Sequence, residues 1–141
     1  TNHNGVTFSI DSYPSRMMQI KKKSNGTFGP VFLTGGSGST NQNKFTSGWS
    51  NSTWYHYVVI YGPYSGSAPT KVYQNNVLHS DSTTSINMAN ANPYVTLGRQ
   101  RPDGSSGYFN GKIGKHAFWE VALSEANVQT LWDLEKADYG F

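Results

Sequence analysis

Residues 54–61, with the sequence WYHYVVIY, constrain the fold most strongly, because both alternating sets of side chains are apolar or aromatic. Successive side chains of a β-strand point to opposite faces, and a strand that is half exposed to water alternates with polar residues. One set comprises Trp54, His56, Val58 and Ile60, and the other comprises Tyr55, Tyr57, Val59 and Tyr61. We therefore expect a centrally placed strand with one face in a core between two sheets and the other face partly covered.

The composition favours an all-β fold of one domain. The chain has 141 residues, of which only 13% are charged, and Gly, Ser, Thr and Asn are plentiful, as in proteins with many turns between short strands. Cysteine is absent, so packing must supply the stability without disulfides or thiolate metal sites. The net charge of +3 is a mild excess that does not imply nucleic acid as a partner. No apolar run is long enough to predict a membrane-spanning helix.

Further strands and one helix can be placed along the chain. In addition to residues 54–61, strands are predicted at residues 6–10, 17–20, 27–33, 94–97 and 113–119. Pro30 predicts an edge or a bulge in the third, because proline cannot donate to a ladder. Asn75 and Asn76 predict a tight type I′ turn in a hairpin over residues 72–78, and Ser124 is expected to cap an amphipathic helix anchored by Leu131 and Trp132.

Five short motifs in the second half of the chain resemble the laminin G-like, concanavalin A-like jelly-roll domains. They lie at residues 54–56, 73–76, 97–99, 109–113 and 122–125, in the order that the family shows. The resemblance implies an all-β fold, namely an antiparallel two-sheet jelly-roll sandwich (concanavalin A-like) with one short C-terminal helix. Asn75 and Asn76 stand where the family prefers Asp-Gly, and both pairs suit the same turn.

One departure from the family concerns the start of the domain. The family's Phe-Asp-Gly strand and the Trp-ending strand after it are not found, and the first strand normally pairs with the last. We expect residues 1–141 to form a single concanavalin A-like/laminin G-like domain that lacks the family's first strands or is part of a larger polypeptide. Without that partner, residues 113–119 would be an open sheet edge. Residues 1–10, another chain or a further part of the polypeptide could pair there.

The candidate ligand contacts are aromatic and basic side chains. In concanavalin A-like sandwiches the concave sheet or its rim loops often hold the ligand, where tyrosines can stack on sugar rings. Loop guanidinium groups can bind carboxylates, sulfates or sugar hydroxyls. The candidate carbohydrate-binding residues are Tyr55, Tyr57, Tyr61, Trp49, Arg99 and Arg101. The alternative is that the tyrosines pack beneath loops as ordinary aromatics and that the arginine loop is merely solvated.

Neither catalysis nor a metal site is predicted. Glycoside hydrolases with this fold place two carboxylates along one strand, but the three glutamates here, Glu120, Glu125 and Glu135, all fall near the last predicted strand and the helix. The four histidines are too dispersed for a zinc site. Family members often bind calcium, yet Asp81 and Asp103 are the only plausible loop carboxylates, so we predict no metal and no cofactor.

Two functions from different classes remain open. The first is a non-catalytic carbohydrate-binding or adhesion module of an extracellular or surface protein, with a glycan or glycoprotein as partner. The alternative is a structural surface subunit, such as a virion or filament decoration protein, that assembles with neighbouring subunits by edge-strand pairing. Both place the protein outside the cell or on the surface of a particle or cell, and the fold alone does not separate them.

Overall fold

The computed structural model describes residues 5–12, 15–22, 28–34, 39–41, 50, 52–61, 70–82, 94–99 and 107–141. The chain divides into two compact units. The first unit consists of Thr1–Trp49 and Ile86–Lys115, and the second of Ser50–Ser85 and His116–Phe141. Each unit contains one antiparallel sheet in its described part, so the prediction of antiparallel β-structure holds in both.

Eight strands and one α-helix make up the regular structure of the described residues. They are β1 (Gly5–Ser12), β2 (Ser15–Lys22), β3 (Phe28–Thr34), β4 (Ser39–Asn41), β5 (Tyr57–Tyr61), β6 (Thr70–Gln74), β7 (Val77–Ser82), β8 (Tyr94–Leu97) and α1 (Glu125–Glu135). A 3-10 turn, Lys136–Tyr139, follows α1. Every strand predicted up to residue 97 has a counterpart here. In the described residues, α1 is too short and too polar to cross a membrane.

The first unit contains a five-stranded sheet in the order β4-β3-β2-β1-β8. β1 lies between β2 and β8, and Ser9 is opposite both Gln19 of β2 and Thr96 of β8. Phe8 and Gln19 are almost fully buried in this unit. The N-terminal strand therefore has a partner on each side, and its partners do not include residues 113–119.

Pro30 occupies a position that suits its missing N–H. It lies opposite Ile20 of β2, whereas β4 pairs only with the last three residues of β3, from Phe32 to Thr34. Among the described strands, β3 is therefore open on one side at Pro30, although β4 makes it an inner strand further along. This arrangement agrees with the edge position expected for a proline within a sheet.

The second unit contains a three-stranded sheet in the order β5-β6-β7. The hairpin between β6 and β7 turns at Asn75 and Asn76, whose φ angles of 49° and 64° confirm the predicted left-handed turn. Among the described strands of this sheet, β6 is the central one. The central position predicted for residues 54–61 is therefore not observed. β5 is an outer strand of this sheet as described.

The core of the second unit joins this sheet to α1. Val58 of β5, Tyr73 of β6 and Val128 of α1 form a buried cluster, with Ile60 and Leu123 packed against it. Val128 is completely buried, whereas Leu131 and Trp132, the predicted anchors, are half-buried. Val128 is therefore the main contact of the helix with the core, and the half-buried Trp132 lies at the edge of that contact.

Ser124 caps α1 as predicted. The Asn127 N–H donates to the Ser124 hydroxyl at 3.2 Å, and the Ser124 N–H donates to Oδ1 of Asn127 at 3.1 Å. This reciprocal capping box satisfies donors that the first turn of a helix leaves without an intrahelical partner. The 11 residues of α1 give the three turns that were expected.

Residues 107–124 contain no strand, although all of them are described. The prediction of a last strand at residues 113–119 is therefore wrong. The Phe109 N–H donates to the Gly98 carbonyl at 2.8 Å, so the chain stays close to the end of β8 at that point. From residue 114 to residue 122 every residue is exposed. Alternating apolar residues in a sequence indicate that one side of the segment prefers burial. A strand also needs a neighbouring strand to pair with, and the alternation does not show where that strand is.

Candidate functional site

The strongest candidate contact surface is a pair of tyrosines, Tyr57 at the start of β5 and Tyr55 just before it, here called the tyrosine pair. Their ring centroids lie 6.1 Å apart with an interplanar angle of 34°, and both side chains are half-buried. The intervening His56 and the following Val58 face α1 and the core. Because side chains alternate along an extended chain, the tyrosine pair lies on the side opposite to the helix.

The two hydroxyl groups have different surroundings. The Ser50 N–H donates to the Tyr55 hydroxyl at 2.9 Å, so this ring is fixed by the residues just before it. Burial raises the pKa of Tyr57, and the neighbouring Tyr55 raises it further. Tyr57 therefore stays protonated throughout the physiological range.

The other predicted contact residues either lie outside the described residues or are described only within their own unit. Trp49 and Arg101 lie outside the described residues, and Tyr61 is described only as the last residue of β5. Arg99 belongs to the first unit, directly after β8 and the left-handed Gly98. Its carbonyl oxygen accepts a hydrogen bond from the Thr96 hydroxyl at 2.8 Å, which fixes the backbone of this half-buried arginine.

A second group of aromatic residues in the second unit was missed by sequence reasoning. We call it the C-terminal aromatic cluster, and its members are Trp54, His56, Trp132, Tyr139 and Phe141. Trp132 lies 4.8 Å from Phe141 and 5.7 Å from His56 between ring centroids, and Trp54 lies 5.0 Å from Tyr139. Two of the three contacts join residues about 80 positions apart, so no local sequence pattern predicts the cluster. The available signal was the density of aromatic residues near residue 54 and near the C-terminus.

His56 connects the C-terminal aromatic cluster to a carboxylate. Its Nε2 lies 3.7 Å from Oε2 of Glu135, and its buried Nδ1 has no hydrogen-bond partner among the described residues. Burial lowers the pKa of His56, and the Glu135 carboxylate opposes that change only in part. The imidazole is therefore mainly neutral at pH 7. Its position between Trp132 and Glu135 indicates a packing role at the helix C-terminus.

The described carboxylates near the end of α1 lie against basic or polar side chains. No group of three potential metal ligands occurs among the residues that the structure describes. Glu135 is next to His56, and Asp133 accepts hydrogen bonds from Lys136 at 2.7 Å and Gln129 at 2.9 Å. These two hydrogen bonds lower the pKa of the exposed Asp133. Asp81 belongs to β7, and Asp103 lies outside the described residues.

The laminin G model of the concanavalin A-like lectin/glucanases superfamily matches residues 2–129. The chain belongs to this superfamily. The resemblance noted in the motifs is thereby confirmed, and so is the fold class: the superfamily fold is an antiparallel β-sandwich, and the chain has two antiparallel sheets and one short C-terminal helix. Laminin G-like domains are usually non-catalytic.

The other comparisons are sparse. The curated proteins gave no match. Among solved structures, the chain is similar to an S-layer domain-containing protein from Clostridium thermocellum, with 18% sequence identity and a TM-score of 0.44. The similarity covers 94% of this chain and 64% of that chain, so this chain spans less than two thirds of the length of that structure.

Proposed function

We propose that this chain is a non-catalytic carbohydrate-binding or adhesion module of an extracellular or surface protein. Membership of a superfamily that includes lectins makes a glycan a reasonable ligand class. The observation that carries the proposal is the tyrosine pair, which places two partly accessible rings side by side on the face of β5 opposite to α1. Tyr55 and Tyr57 then serve as the central contacts of the site.

Side-by-side phenol rings suit a sugar for two chemical reasons. The C–H face of a pyranose ring is apolar and packs on an aromatic face, while a nearby phenol hydroxyl can exchange hydrogen bonds with sugar hydroxyls. Because the Ser50 N–H already fixes the Tyr55 hydroxyl, little side-chain entropy is lost when a ligand binds to that ring. Tyr57 lies beside Tyr55 and extends the aromatic surface.

The basic residues extend this proposal to acidic glycans. Arg99 offers a guanidinium group on a fixed backbone, and a guanidinium group can form paired hydrogen bonds with a carboxylate or sulfate. Trp49, Tyr61 and Arg101 remain proposed contacts on the strength of the sequence alone. We propose the arginines as contacts for charged substituents of a glycan, independently of the tyrosine pair, which belongs to the other unit.

A binding function without catalysis fits the placement of the carboxylates. Glycosidases cleave with two carboxyl groups held about 5 to 10 Å apart across one glycosidic bond. Here Glu135 lies against His56 beside α1, Glu125 is in the first turn of the helix, and Glu120 is in the irregular segment before it. Neither Glu120 nor Glu125 lies in a strand, so neither has the strand position that glycosidases of this fold use to hold two carboxylates on one face.

A glycan array tests the proposal. The wild-type protein is expected to bind a limited set of glycans saturably, and Tyr55→Ala is expected to abolish that binding while the protein remains folded by circular dichroism. Tyr108→Ala is the matched control, because Tyr108 is an exposed tyrosine of the first unit. An array without saturable binding, or equal losses in the two variants, would refute the proposed site.

The second candidate function is that of a structural surface subunit, such as a virion or filament decoration protein. It is favoured by the exposed apolar residues just before α1, which include Phe118 and Trp119. A subunit of this kind would hold its neighbours through such a surface and would need no small ligand. Concentration-dependent assembly in light scattering, together with a glycan array that shows no binding, would support this candidate over the first.

A further inference from the structure

Asn110 and Gly111 form an Asn-Gly pair in the irregular segment between β8 and α1. Both residues are exposed, and neither belongs to a helix or a strand. The sequence has two more such pairs, which start at Asn4 and Asn25, and both of these asparagines lie outside the described residues. Asn110 is therefore the one of the three whose surroundings the structure describes.

An asparagine followed by glycine is a chemically labile pair. After losing its proton, the backbone nitrogen of the following residue can attack the side-chain carbon Cγ of the asparagine and close a five-membered ring. The two reacting groups belong to one short stretch of chain, so the attack is intramolecular. Glycine favours it further, because it has no side chain to block the approach and the widest choice of backbone dihedrals. Asn110 and Gly111 supply both groups at an exposed position.

The packing of Phe109 accounts for glycine at position 111. A Cβ on residue 111 would lie 2.6 Å from Cε1 and 2.8 Å from Cζ of Phe109. The half-buried Phe109 ring thus occupies the space that a side chain at position 111 would need. A residue that slowed the ring closure at this position would therefore displace the aromatic ring.

The segment that contains the pair is held at both ends against the end of β8. The Phe109 N–H donates to the Gly98 carbonyl at 2.8 Å, and Cδ1 of Ile113 lies 3.6 Å from the position of a Cβ on Gly98. Asn110 and Gly111 therefore lie between two contacts with the same residue. A longer main chain between Phe109 and Ile113 would disturb at least one of these contacts.

We propose that Asn110 is a site of spontaneous covalent modification, at which deamidation through a cyclic imide converts its neutral amide into a carboxylate. The Gly111 nitrogen forms a bond to Cγ of Asn110 as the bond from Cγ to the amide nitrogen breaks, and ammonia leaves with the proton of the Gly111 N–H. Water then opens the imide at one of its two C–N bonds and yields isoaspartate or aspartate. No electron is transferred in either step.

Each product changes the first unit in a defined way. Both products lower the net charge of +3 by one and place a carboxylate two residues before Lys112. Isoaspartate also routes the main chain through the former side chain, which adds one carbon atom between Phe109 and Ile113. Its formation is therefore expected to weaken the contacts of this segment with Gly98. The proposal does not depend on glycan binding.

Peptide mapping of aged protein tests the proposal. Folded wild-type protein is incubated at mildly alkaline pH, which favours loss of the proton from the Gly111 nitrogen, and is digested with trypsin beside an unaged sample. The tryptic peptide of residues 100–112 has Asn110 as its only asparagine, and the peptide of residues 116–136 has only Asn127. After ageing, the first peptide should gain the mass difference between an amide and an acid and contain isoaspartate. The second should stay unchanged.

Asn127 is the matched control because the start of α1 holds its reacting groups in place. Its Oδ1 accepts hydrogen bonds from the Ser124 N–H at 3.1 Å and from the Ser124 hydroxyl at 2.7 Å. The N–H of Val128, the residue that would attack, donates to the Ser124 carbonyl at 3.0 Å. Val128 is also β-branched and fully buried, so ring closure there would require the helix to open.

Three results would overturn the proposal. The first is an unchanged Asn110 in the folded protein under conditions that deamidate a synthetic peptide of residues 107–113, because the fold would then protect the site. The second is equal conversion of Asn127. The third comes from Asn110→Gln, which replaces an exposed side chain and should lower the isoaspartate content of the aged protein. A variant that retained the full wild-type content would show that the modification occurs elsewhere.

Discussion

Asn75 holds both backbone polar groups of His56. The Asn75 N–H donates to the His56 carbonyl at 2.9 Å, and the His56 N–H donates to Oδ1 of Asn75 at 2.9 Å. Asn75 itself has a φ of 49°, a left-handed conformation that asparagine tolerates better than most residues. The turn between β6 and β7 therefore fixes the position of the chain between Tyr55 and Tyr57.

Substitutions at Asn75 should separate the effect of its conformation from that of its side chain. Asn75→Ala is expected to lower the free energy of unfolding by about 2 kcal/mol, because it loses the hydrogen bond to His56 and strains the left-handed backbone. Asn75→Gly should cost about 1 kcal/mol, since glycine adopts this φ freely. Urea denaturation measures both. Equal losses for the two variants would show that backbone strain is not involved.

Acidification should weaken the second unit through His56. Its pKa in the folded state is lowered from the usual 6.5, mainly by burial, so the unfolded state binds protons first as the pH falls. The contribution of the neutral His56 to stability is therefore fully present above about pH 6.5. It decreases as the pH falls from that value through the lowered pKa of the folded state.

The thermal midpoint of a His56→Gln variant should depend less on pH between about pH 7.5 and about pH 5 than that of the wild type. Glu135→Gln should make the thermal midpoint depend more strongly on pH, since the Glu135 carboxylate opposes the lowering of the His56 pKa. A wild-type midpoint that rises on acidification would contradict the assigned direction.

Val128 should be the most sensitive position of α1. Its side chain is fully buried against Val58 and Tyr73, so Val128→Ala removes buried methyl groups and leaves a cavity. We expect a loss of about 2 kcal/mol in the free energy of unfolding. Leu134→Ala, on the exposed side of the helix, should change it by less than about 0.5 kcal/mol. A larger effect at Leu134 than at Val128 would mean that the helix docks by a different face.

Local signals in the sequence predicted much of this structure. Ser124 with the spacing that follows it predicted the capped helix, and Asn75 with Asn76 predicted the left-handed turn, because both features depend on neighbouring residues alone. The alternation through Tyr55 and Tyr57 also predicted that these rings would share a face, and they lie 6.1 Å apart. Such properties need no knowledge of the rest of the chain.

Features that depend on distant partners were harder to predict. Residues 113–119 have the alternation of a strand, but pairing requires a second strand that the pattern does not specify. The C-terminal aromatic cluster joins Trp54 and His56 to Trp132 and Phe141, and only the docking of α1 brings them together.

Calorimetric titration with a glycan selected on the array is the most direct test of the binding account. Tyr55→Phe keeps the ring and should reduce affinity by less than about tenfold, which corresponds to the loss of one modest hydrogen bond. Tyr55→Ala removes the stacking surface and should reduce affinity well beyond that. Wild-type affinity in a folded Tyr55→Ala protein would contradict the central claim that the tyrosine pair holds the sugar.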